Sequence, residues 1–227
     1  MKQEIIDFIN EHEDLIDNNE WDKLYNLALE TDGLRFASEI GALTSIFLSC
    51  NIHPEIYLEE LPDLFLAFTD ITNFTIPSNI YKIGARAFYG CSSLTDVIIP
   101  DSVTSLGVDA FYRCSSLVSI TIPSSVTSIS GGAFEWCFSL TSVTIGNGVT
   151  EIGYKSFSDC SSIESITIPD SVTYISDGAF NDCDDKLVIT YAGTKENWKK
   201  IYNKDAFSHT YFTVHCIDGK ITKRKRS

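Results

Sequence analysis

Five cysteines, Cys91, Cys114, Cys137, Cys160 and Cys183, follow one another at a constant spacing of 23 residues. Thiols at a fixed period have four chemical uses: metal ligation, disulfide bonding, nucleophilic attack, or packing as a small apolar group. Each use demands its own geometry. Zinc needs four ligands around a tetrahedron, and a straight column cannot surround a point. A disulfide needs Cβ atoms about 3.8 Å apart with the side chains turned toward each other. Stacked parallel strands instead hold equivalent side chains about 4.8 Å apart, all pointing the same way. A nucleophile needs a base, and the four histidines, His12, His53, His209 and His215, all lie outside the repeated segment. What remains is a buried column of small hydrophobes. No metal or other cofactor is expected, and no Gly-rich phosphate loop or Ser/His/Asp set suggests catalysis.

Other columns at the same period must position the thiols. Phe88, Phe111, Phe134, Phe157 and Phe180 form one. Ile76, Ile99, Ile122, Ile145 and Ile168 form another, most of them followed by proline. Val103, Val126, Val149 and Val172, then Leu106, Ile129, Ile152 and Ile175, then Leu94, Leu117, Leu140 and Ile163 continue the pattern. Alternating runs such as "SVTIG" (142–146) read as strands. A second β-branched run, "SVTSL" (102–106), follows the proline, and "AFYRC" closes the coil as a helical or 3₁₀ turn. Identical short coils stack into a solenoid whose apolar columns bury one another. Stepping back 23 residues from Phe88, Cys91, Leu94 and Val97 gives Phe65, Phe68, Ile71 and Phe74, a degenerate first half-repeat with Phe68 in the cysteine's place.

The segment "IPDSVTSLGVDAFYRCSSLVSITIP" (99–123) resembles the BspA-like (Treponema pallidum-type) leucine-rich repeat. The resemblance covers roughly residues 64–219. It implies an arc-shaped solenoid used mainly for protein binding, in a family with many bacterial surface proteins and adhesins. Residues 191–219 are similar to that family's closing segment at Tyr191, Gly193, Thr194, Trp198, Cys216, Asp218 and Gly219. The residues themselves agree. Thr194 suits a helix N-cap, Trp198, Ile201 and Tyr202 share one helical face, "YFTVHC" (211–216) reads as a strand, and Asp218-Gly219 as a hairpin turn.

The expected fold is therefore an α+β repeat protein, a leucine-rich-repeat solenoid of about five 23-residue coils. An acidic helical module occupies residues 1–62, the solenoid 63–190, a helix–hairpin cap 191–219, and a basic tail 220–227.

Net charge is −14, and residues 1–70 alone hold 16 Asp and Glu against 3 Lys and Arg. An acidic body argues against nucleic-acid binding. No apolar run approaches the roughly 20 residues of a membrane helix, and the acidic N-terminus does not read as a signal peptide. The expected location is the cytoplasm, with no membrane association. The partner is a protein, and nothing fixes the oligomeric state. The expected role is a non-enzymatic scaffold or partner-occupying inhibitor, with a phage or mobile-element origin as part of that expectation. The alternative is a surface- or particle-associated adhesin-like protein.

Two surfaces are candidates for binding. Thr121, Thr144 and Thr167 alternate with core residues and line a sheet face. Such a ladder is ordinary filler for a solvated strand, though solenoids also bind through extended concave faces. Variation is concentrated at the turn beside the cysteine, which carries Tyr89, Tyr112, Arg113, Glu135, Trp136 and Phe138, with Tyr154 nearby. Tyr, Trp and Arg are the types that anchor interfaces.

Overall fold

The computed structural model describes residues 60–223, apart from 62, 64, 185, 186 and 209. The helical module expected over residues 1–62, save Glu60 and Leu61, lies outside the described residues, as do the last four residues of the basic tail.

Each coil folds by the same local rules. A β-branched run of alternating burial makes one strand. Proline, or Gly146 after one strand, stops it, and a second, two-residue strand follows. The two-residue strands are β1 (Glu60–Leu61), β3 (Lys82–Ile83), β5 (Ser105–Leu106), β7 (Ser128–Ile129), β9 (Glu151–Ile152) and β11 (Tyr174–Ile175). They alternate along the chain with β2 (Asn73–Thr75), β4 (Asp96–Ile98), β6 (Ser119–Ile122), β8 (Ser142–Ile145), β10 (Ser165–Ile168) and β12 (Leu187–Tyr191). The run at 102–106 is thus a strand only in its last two residues, because Val103 N–H turns back to the Pro100 carbonyl. "AFYRC" closes the coil as a series of i to i+3 turns rather than a helix: Tyr112 N–H donates to Asp109 and Cys114 N–H to Phe111.

The longer strands pair in parallel and in register. Thr121, Thr144, Thr167 and Thr190 form one outward row, and Ile120, Val143, Ile166 and Ile189 the inward row beside it. The main sheet continues past the repeats. β13 (Phe212–Cys216) pairs in parallel with β12, and β14 (Gly219–Lys223) folds back antiparallel on β13. The expected hairpin at Asp218-Gly219 is present, and its second strand takes the first residues of the basic tail. Helix α1 (Lys195–Ile201) and a 3₁₀ turn (Lys204–Phe207) cross the last coil. Thr194 caps α1 by accepting from Asn197 N–H, and the helix buries Trp198 beneath it.

The described fold is a leucine-rich repeat β-solenoid of about 7 turns, mostly strand with one helix, in place of the α+β fold of about five coils read from exact spacing. The reason lies at both ends. At the start, Leu61 pairs with Ile83, a step of 22 residues, and Leu66 N–H donates to the Ala87 carbonyl, one residue fewer than the 22 between Phe88 and Ala110 in the next coil. At the end, Cys183 N–H bonds Thr210 Oγ1 across 27 residues, because α1 is inserted. The phenylalanine column therefore runs Leu66, Phe88, Phe111, Phe134, Phe157, Phe180, Phe207, all buried. Five pairs of its rings stack at 4.8–5.5 Å and within 17° of parallel.

The shorter first step also moves Phe68. It does not replace cysteine in the core. Thr69 sits there, and Phe68 is 58% exposed on the turn.

One buried position is chemically mismatched. Ser156 stands in a column of Ala87, Ala110, Ala133 and Ala179, fully buried, and its hydroxyl has no hydrogen-bond partner. An unsatisfied hydroxyl costs about 1 kcal/mol or more. Ser156→Ala should therefore raise the urea midpoint, by about 1 kcal/mol of stability. Phe134→Ala should lower it by about 3–5 kcal/mol. A fall for Ser156→Ala would mean that the hydroxyl is paired.

Candidate functional site

The cysteines are the turn's internal fastening. The thiol of Cys91 donates to the Leu66 carbonyl at 2.9 Å. Cys114, Cys137, Cys160 and Cys183 donate in the same way to Phe88, Phe111, Phe134 and Phe157, at 3.0–3.2 Å. Each of these carbonyls also accepts the N–H of the residue three on, as Phe111 does from Cys114. Where the series ends, a hydroxyl takes over. Thr69 fills the position at the start, and Thr210 Oγ1 donates to the Phe180 carbonyl at 2.6 Å at the end. The position calls for a small, largely apolar side chain that can still donate one hydrogen bond to the previous coil.

The thiols are correspondingly inert. Removal from water pushes Cys91 up to about 11 and Cys114, Cys160 and Cys183 well above the ordinary value, with Cys137 raised as well. All five are unbridged. Among the described residues no group of His, Cys, Asp and Glu is placed to hold a metal ion.

The turn around the cysteine is a second hydrogen-bonded ladder. Phe88, Phe111, Phe134, Phe157 and Phe180 each donate their N–H to the next coil. Two residues on, Gly90 donates to Tyr112, Arg113 to Glu135, and Trp136 to Ser158. This second position is left-handed in every coil, with φ of 70° at Gly90, 58° at Arg113, 64° at Trp136, 58° at Asp159 and 53° at Asp182. Glycine takes that conformation freely, whereas a side chain there costs about 1–2 kcal/mol. Arg113 and Trp136 are thus held at a backbone cost that glycine avoids one coil earlier.

Their side chains build a strip. Tyr89 stacks on Tyr112 at 4.7 Å, and Tyr112 on Trp136 at 5.8 Å. Trp136 meets Phe138 at 6.3 Å, and at the other end Phe68 meets Tyr89 edge-on at 5.2 Å. Five aromatic side chains thus run along one edge of the solenoid. Tyr89, Tyr112 and Trp136 are half-buried, and Phe68 and Phe138 are exposed. The Arg113 guanidinium carbon lies 4.0 Å from the Trp136 ring and 5.6 Å from Tyr112. Arg86 lies 5.8 Å from Tyr89 and pairs with Asp109 at 3.2 Å. Glu135 closes the strip by pairing with Lys155 at 3.6 Å. Removal from water raises its carboxyl and Lys155 opposes that shift.

The turn residues singled out in the sequence, Tyr89, Tyr112, Arg113, Trp136 and Phe138, thus come together, with Glu135 at their boundary. Tyr154 is exposed and touches Lys155, one coil beyond the strip. Thr121, Thr144 and Thr167 stand on the main sheet as a separate exposed row. Sequence reasoning missed Phe68 and Arg86. The 22-residue step from Leu61 to Ile83 was the available signal for Phe68.

The model of the BspA type leucine rich repeat region matches residues 59–187 in six copies. Among solved structures, the Treponema pallidum leucine rich repeat protein is 33% identical, covering 57% of this chain and 61% of its own, with a TM-score of 0.55. A leucine-rich repeat protein from Eubacterium ventriosum is 26% identical, covering 63% of this chain and 41% of its own, with a TM-score of 0.47. This chain therefore spans less than two thirds of either structure. No curated protein matches.

The raised thiols give a signed pH dependence. Their contribution to stability is full below the ordinary thiol value of 9.0 and is lost as pH rises through the folded values, about 11 for Cys91. The urea midpoint should stay level from about pH 7 to 9 as far as these groups are concerned, then fall. Native alkylation should reach Cys216, which is half-buried, before the five column thiols. Fast stoichiometric labelling of the column at about pH 8 would contradict their protonated, sealed state.

Proposed function

The chain belongs to the BspA-type leucine-rich repeat family, and from that premise we propose that it is a non-enzymatic protein-binding module whose contact surface is the aromatic strip. One observation carries the proposal. Bulky side chains occupy the turn position at Arg113 and Trp136, and they complete a partly exposed row of rings instead of filling the core. Tyr, Trp and Arg are the residues that dominate binding energy. The Thr row lacks such anchors. Within this reading the module acts as a scaffold or as an inhibitor that occupies its partner. The alternative, an adhesin-like surface protein, uses the same strip in a different place. Among the described residues no helix is long and apolar enough to cross a membrane.

Affinity capture from the native cell, read by mass spectrometry, tests the surface. A partner held by the wild-type chain should be lost on changing Tyr112, Trp136 and Phe138 to Ala, with Trp136→Ala alone costing about 2 kcal/mol or more. Replacing Thr121, Thr144 and Thr167 with Ser should leave capture intact. The reverse pattern would move the contact to the sheet face. Fractionating the same cells separates the scaffold or inhibitor from the adhesin, since recovery at the surface would defeat the first.

A further inference from the structure

Arg113 stands exposed in the middle of the strip, with its guanidinium carbon 4.0 Å from the centre of the Trp136 ring. The neighbouring charges are committed: Arg86 to Asp109 at 3.2 Å and Lys155 to Glu135 at 3.6 Å. Among the described residues no carboxylate pairs with Arg113, and its side chain makes no hydrogen bond. This holds in a chain of net charge −14, where carboxylates outnumber cations 31 to 17. A guanidinium held over a ring still carries N–H donors for a second partner. A planar fork of donors matches a carboxylate.

The rings around it narrow the ligand further. Tyr89 and Tyr112 lie within 11° of parallel, and Tyr112 and Trp136 within 24°, so their faces are turned to one another. A row of partly exposed rings offers apolar contact area to the side chains of a polypeptide.

We propose that the partner brings to this strip a polypeptide segment with an Asp or Glu side chain flanked by apolar side chains. The carboxylate is held by the Arg113 fork, and the apolar neighbours lie on Tyr89 and Tyr112 to one side and on Trp136 and Phe138 to the other. This assignment rests on the strip being the interface.

The full chain, immobilised, is used to select peptides from a random, unphosphorylated display library. The expected result is a family of peptides with Asp or Glu between aliphatic or aromatic residues. Their synthetic versions should bind about tenfold more weakly to Arg113→Gln, and about tenfold more weakly when the peptide carboxylate becomes its amide, with the two losses not additive. Arg113→Gly serves as a second variant, since it matches Gly90 in the preceding coil and relieves the left-handed backbone, so its loss of binding is not a loss of fold. Peptides without a carboxylate that bind Arg113→Gly normally but not Trp136→Ala would overturn the carboxylate and leave the strip standing. Peptides indifferent to both changes would sink the strip as well. No enrichment at all counts against a linear acidic segment. Peptides matching "IIDFI" (5–9) would make the chain's own N-terminal segment the occupant and overturn a foreign partner.

Discussion

One carbonyl per coil, that of the buried phenylalanine, fixes how the turns sit on one another. It accepts the N–H of the residue three on and the thiol of the next coil's cysteine, while the phenylalanine N–H donates forward. A solenoid edge without strands would otherwise leave a row of buried backbone groups unpaired, which costs free energy at every coil. The thiol is suited to this place because it packs like a small hydrophobe and still donates. The ring stack above it sets the spacing, at 4.8–5.5 Å between centroids. The coil length changes at the two ends, by a 22-residue first step and by the insertion of α1 in the last.

That fastening gives the surface strip its order. Tyr89, Tyr112 and Trp136 lie beside the ladder, and their backbones are held by bonds running from coil to coil. The stacked rings are therefore placed in advance, which would lower the ordering cost of binding at the proposed strip. Side chains at the left-handed position add strain, and the ladder is what sustains it. The fold itself does not say what is bound. As a proposed contact, the strip offers aromatic rings and a guanidinium that, among the described residues, has no carboxylate partner.

Much of this was legible in the sequence because it repeats. The columns of Phe111, Cys114, Leu117 and Ile120 recur without a gap, so their shared burial followed from period alone. The same holds for Thr194 and Trp198, where capping and helical spacing are local signals. Three things were hidden. A 23-residue ruler misplaced Phe68 by one position, because the first step is 22. It also stopped at Phe180, because α1 lengthens the last step and conceals Phe207. The donor role of the cysteines was invisible because a hydrogen bond to a carbonyl 26 residues back leaves no trace in composition. The strip was half legible. Variable aromatic types could be seen, but not that Trp136, one place along from the Tyr112 column, leans back to stack on it.

The turn edge is bonded as tightly as the main sheet and so presents its side chains rigidly. Residue-resolved amide hydrogen exchange tests it most directly. The N–H groups of Phe111, Phe134, Arg113 and Trp136, each donating to the next coil, should be as protected as those of Ile120, Val143 and Ile166 in the sheet. Exchange at the turn edge faster by orders of magnitude, with the sheet still protected, would contradict the account.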